Sequence, residues 1–106
     1  MALFKKKDPK ALLNDDNVIP EVLAVLNNHR ESVKRLSAIS EKFVHCKSDD
    51  EHDMLFEQQT KIYDELTTQE KFIKKFGYAL VIESHDPFAW ALNETDYKAY
   101  LSMRKI

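Results

Sequence analysis

Apolar residues recur along this chain in two runs with alternating spacings of four and three. Val22, Leu26, His29, Val33, Leu36, Ser40 and Phe43 follow that rule, with His29 and Ser40 as polar members. Beyond a polar turn at Ser48, the residues Leu55, Ile62, Leu66, Gln69, Ile73, Phe76 and Leu80 follow it again. Such spacing is the seam of two packed helices. The pattern predicts an all-α fold: a long antiparallel helical hairpin, about 20–47 and 49–83, with one or two shorter C-terminal helices over about 87–104.

Boundary residues sharpen the two helices. Pro20 suits the first position of a helix, where the amide it lacks would have no partner, and Glu21 complements the positive end of the dipole. Ser48-Asp49-Asp50-Glu51 has the Ser-x-x-Glu form of a capping box. Folding the runs back about residue 49 sets positions whose numbers total about 98 against each other. Phe43 then faces Leu55, Leu36 faces Ile62, Val33 faces Leu66, Leu26 faces Ile73 and Val22 faces Phe76. The polar positions coincide too, with His29 opposite Gln69 and Ser40 opposite Gln58 or Gln59. Residues 30–47 hold five basic and two acidic side chains, while 49–70 hold eight acidic and one basic. Opposite charge on the two flanks favours the antiparallel hairpin over a parallel pairing of like helices.

Two later boundaries are less determinate. Lys74-Lys75-Phe76-Gly77 resembles a helix end, which would make Tyr78–Ile82 a strand. No other segment offers it a convincing strand partner, so the second helix is expected to continue to about Glu83 with a kink at Gly77. A strand pairing between subunits is the alternative. Asp86-Pro87 reads as a cap and first position of a last helix, with Asn93 or Thr95 able to cap a fresh start inside it. Residues 1–18 show no period and are expected to form a flexible basic and polar tail, leaving 19–106 as a single helical domain.

Composition changes this picture little. One glycine among 106 residues argues against a turn-rich sheet protein. A net charge of −2 gives no global argument for nucleic acid or an anionic membrane. The single Cys46 excludes an intrachain disulfide and fits a reducing compartment. No apolar run approaches the roughly 18 residues of a membrane span, and the Met1–Phe4 segment does not match a secretory signal. The expected location is the cytoplasm.

Candidate chemistry is thin. His45, Cys46 and His52 flank an acidic turn and carry zinc-binding groups, but adjacent residues point to different helix faces and a second cysteine is missing. Cys46 has no triad, one glycine cannot make a phosphate loop, and no carboxylate pair stands out. His29 on the seam could titrate near neutrality, although a register-fixing hydrogen bond to Gln69 is the simpler role. No enzyme activity, cofactor or metal is expected.

What remains is binding. The final segment folds back from the end of the hairpin remote from Ser48 and cannot reach its tip, leaving Phe43, Val44, Met54, Leu55 and Phe56 partly uncovered amid acids. An apolar patch of that kind serves protein–protein contact. The expectation is a non-enzymatic interaction protein, an adaptor, inhibitor or regulator that binds another protein, with a homodimer possible. The alternative is a small nucleic-acid-associated regulator using Lys5, Lys6, Lys7 and Lys10 with Tyr97, Lys98, Tyr100 and Arg104.

Overall fold

The computed structural model describes residues 9–83 and 86–104. A short 3-10 turn, Pro9–Leu12, precedes two long helices, α1 (Pro20–Val44) and α2 (Asp49–Lys75). Two strands follow, β1 (Tyr78–Ile82) and β2 (Ala89–Asn93), and then a third helix, α3 (Glu94–Arg104). The chain is mostly helical, but the expected all-α fold is corrected by this small sheet.

The hairpin ends as its boundary residues suggest. Pro20 opens α1, and Ser48 caps α2 by accepting from the Glu51 amide at 3.1 Å. Ile39, Leu55, Ile62 and Leu66 form one buried cluster with Val33, Leu36 and Phe43 packed against it. His29 meets Glu70, Ser32 meets Gln69 and Glu65, and Arg35 meets Glu65. These pairs total 97 to 101 in residue number, close to the register that the heptads set. A helix of 3.6 residues per turn drifts from a strict heptad, however. By the third turn the seam has moved to Ser32 and Ile39, which are buried, and Ser40 is exposed.

α2 does not continue to Glu83. Its last carbonyls are taken by the Phe76 and Gly77 amides, and Gly77 adopts φ +87°, the left-handed conformation that stops a helix. Phe76 is therefore exposed instead of facing Val22, and Leu80 lies in a strand. The strand partner is Ala89–Asn93, antiparallel, from Tyr78 opposite Asn93 to Ile82 opposite Ala89. The expected helix start at 87 fails for a local reason. The Asp86 carboxylate accepts from the Phe88 amide two residues on, which makes a turn instead of a helix cap. The helix begins later, where Asn93 Oδ1 accepts from the Asp96 amide at 2.8 Å.

Alternation places the sheet between two layers. Ala89, Ala91, Leu80 and Tyr78 pack with Val22, Leu26 and Ile73 of the hairpin. Val81 and Leu92 pack on the other side with Tyr97 and Tyr100 of α3 and with Leu12 and Leu13. The two alanines of β2 let the strand approach α1 closely.

The stretch 9–18 belongs to the segment read from sequence as a flexible basic and polar tail. Leu12 and Leu13 join the α3 layer, and Val18 is buried. Arg30 fastens the segment: its guanidinium takes both oxygens of Asp15 at 3.0 Å, Nε donates to the Ala89 carbonyl, and the group lies 5.0 Å from the Trp90 ring centre. Residues 1–8 of the expected tail, with Lys5, Lys6 and Lys7, lie outside the described residues.

Candidate interaction surface on the hairpin arm

The sheet and α3 cover only one end of the hairpin. The buried cluster that contains β2 draws on Val18, Val22, Leu26 and Ile73, all near the open end of α1 and α2. The cluster toward Ser48 contains hairpin residues alone. The molecule is accordingly long, 61 × 29 × 19 Å, with a radius of gyration of 17.3 Å. A compact domain of this length would have about 13 Å. It is a base with a two-helix arm.

Two packed helices bury a seam and leave both flanks in solvent. On one flank of α2, Phe56 and Tyr63 are exposed, and between and beyond them Thr60 and Thr67 turn their hydroxyls back to the carbonyls of Phe56 and Tyr63. These hydroxyls are satisfied within the helix, so the stripe is less polar than its composition suggests. Near the tip, Val44 is 78% exposed, Met54 61% and Phe56 58%. Around them Asp49, Asp50, Glu51, Asp53 and Glu57 are all exposed. Of the five residues expected at the tip, Val44, Met54 and Phe56 are accessible. Phe43 is half-buried with the His52 ring edge-on to it at 5.2 Å, and Leu55, at 6% exposure, belongs to the seam.

A shallow groove of 390 Å³ runs between the arm helices, floored by Ala38, Ile39 and Ile62 and edged by Arg35, Lys42 and Glu65. Glu65 accepts from both Arg35 and Ser32. The Arg35 guanidinium, above all, holds the Glu65 carboxyl below the usual carboxylate range.

The other candidates are dispersed. Cys46 Sγ lies 3.3 Å from the Ser48 carbonyl and His45 closes α1, so the two point to different tasks at the turn. Among the described residues no group of three or more His, Cys, Asp or Glu is placed to hold a metal. Of the residues proposed for nucleic acid, Lys98 pairs with Glu94 at 3.0 Å. Tyr100 is buried in the α3 layer, and Arg104 donates to its hydroxyl and to Glu83 at 2.6 Å. Burial first, and then the neighbouring Glu83, push the Tyr100 phenol up from its ordinary value. The ring is 4% exposed, a core residue with a hydrogen-bonded tip.

No protein-family model, curated protein or solved structure matches this chain. The surface therefore has to be judged by its own chemistry. Sequence spacing located the tip but missed Tyr63, whose place one helical repeat of seven after Phe56 could have been read from the outer face of α2. It also missed Ser32, buried in mid-hairpin, because a strict heptad puts Val33 on the seam. Among the described residues no helix is long and apolar enough to cross a membrane.

Proposed function

We propose that this chain is a non-enzymatic interaction protein that binds another protein through the distal arm of its helical hairpin. The observation that carries the reading is the exposed trio Val44, Met54 and Phe56, set beyond the reach of the sheet and α3 and continued along α2 by Tyr63. Aromatic and methionine side chains at an uncovered helical face supply apolar contact area with adaptable shape. The surrounding carboxylates of Asp49, Asp50, Asp53 and Glu57 favour a partner whose apolar anchor lies among basic groups, and they speed its approach. Function is then occupancy: a preformed arm buries its flank against the partner.

The test uses the whole chain as an affinity bait, followed by quantitative mass spectrometry. Wild type is compared with Phe56→Asp and with Lys98→Ala on the base. Proteins retained by wild type and Lys98→Ala but lost from Phe56→Asp are the expected result. Equal retention by all three would contradict the reading. Retention that falls about a thousandfold or more between low and moderate salt would point instead to nucleic acid.

A further inference from the structure

Among the described residues the sheet has two strands, and its two outer edges are treated differently. At the β2 edge, Arg30 donates to the Ala89 carbonyl and stacks on Trp90. At the other edge, Leu80, Val81 and Ile82 line an open groove of 350 Å³ whose opposite wall is Tyr97, Tyr100, Leu101 and Arg104 of α3. No residue of β2 lines this groove, so it follows the outer side of β1. In an antiparallel ladder every second residue turns its N–H and C=O away from the partner strand. Among the described residues β1 thus offers main-chain donors and acceptors along a trough of mixed apolar and polar lining.

Nothing in β1 blunts that edge. Tyr78–Ile82 contains no charge and no proline, and its pairing with β2 is continuous, without a bulge. Proteins normally protect a bare edge with such devices. Ile82 is 61% exposed at the end of the strand, and Leu101 is exposed on the rim of the groove. These are features of strand addition, in which main-chain bonds give affinity and flanking pockets take alternate side chains.

We propose that β1 pairs antiparallel with β1 of a second copy across a two-fold axis, making a four-stranded sheet in the order β2-β1-β1-β2. Charge selects this occupant. The strand is preceded by Lys74 and Lys75, which are exposed and make no ion pair among the described residues; beyond it Glu83 is held by Arg104, and Asp86 is the acid without an ion pair among the described residues. Centring the pair on Leu80 is the one register that matches all five residues of both strands, with Tyr78 opposite Ile82 of the partner subunit. It also brings the lysine end of each copy toward Asp86 of the other. The strand is its own complement in the antiparallel sense, as a two-fold contact requires. A parallel pairing would set like charges together. The arms stay outside this contact, so the dimer is independent of the function proposed above.

The experiment is light scattering on the full chain over a concentration series, with circular dichroism confirming that each variant keeps its helices. The proposal expects a mass of twice 12.4 kDa. It expects a dissociation constant raised at least tenfold by Ile82→Lys and by Leu101→Asp, and unchanged by Phe56→Asp. Lys74→Glu with Lys75→Glu should weaken the dimer, and adding Asp86→Lys should restore part of the loss. Amide exchange of residues 79–82 should slow as concentration rises. A monomer at every concentration would overturn the proposal. So would a dimer that survives Ile82→Lys and Leu101→Asp yet dissociates with Phe56→Asp, since the arm would then be the contact.

Discussion

The Ser32 hydroxyl is the junction of the hairpin's polar layer. It donates to the Asn28 carbonyl or the Glu65 carboxylate and accepts from Gln69 and Arg35 in a wholly buried position. Ser32→Ala leaves those groups short of a partner, so it should cost about 1–3 kcal/mol. Ser40→Ala, at an exposed position, should stay within about 0.5 kcal/mol. Urea denaturation midpoints at unchanged slope would show the contrast. Glu65 gives a pH signature. Arg35 lowers its folded-state pKa, so the unfolded chain takes up the proton first as pH falls. Its contribution is complete above about pH 4.3 and is lost as pH drops through the lower folded value. Glu65→Gln should therefore be less stable than wild type at neutral pH, with the gap closing under acid in pH-dependent melts. Of these residues, His29 was legible as a seam position from spacing. Ser32 and Glu65 were not, since which flank a charge occupies depends on the helical drift that a heptad ignores.

Among the elements, the two long helices were legible, β1 was legible as the alternative reading of Tyr78–Ile82, and β2 was not. Pro20, the Ser48 cap and the apolar period act locally, within a turn or two of helix, and so leave a trace in sequence. β2 is Ala-Trp-Ala-Leu-Asn, whose alanines favour a helix by propensity. It is a strand because Ala89 and Ala91 fit against Val22 and Leu26, a contact some 65 residues distant in sequence. Two element-scale substitutions probe this account. Gly77 has φ +87° and nothing within 4 Å of where a Cβ would stand. Gly77→Ala should therefore cost only backbone strain, about 1–2 kcal/mol, visible as a lower thermal midpoint without loss of helix content. Arg30→Ala removes hydrogen bonds to Asp15 and to the Ala89 carbonyl. It should cost about 2–3 kcal/mol and speed amide exchange in residues 12–18 and 89–93.

At the scale of the molecule, the sheet and α3 make a base and the remaining length of α1 and α2 stands out from it as an arm. The uncovered tip was legible, because helix lengths follow from residue counts and the last segment is too short to reach residue 48. What it leaves accessible was legible only in part. Val44, Met54 and Phe56 are open, whereas Leu55 closes the seam, so Leu55→Asp would test folding and Phe56→Asp tests docking. Phe56→Asp should change stability by no more than about 0.5 kcal/mol. The central claim is that this arm flank touches another protein. Its most direct test is photo-crosslinking in cells from a benzoylphenylalanine placed at position 56, with position 98 on the base as comparison. The account predicts a discrete adduct from position 56, heavier than the chain by the mass of one partner, and none of that mass from position 98. Adducts from position 98 alone, with position 56 giving only uncrosslinked chain, would contradict it.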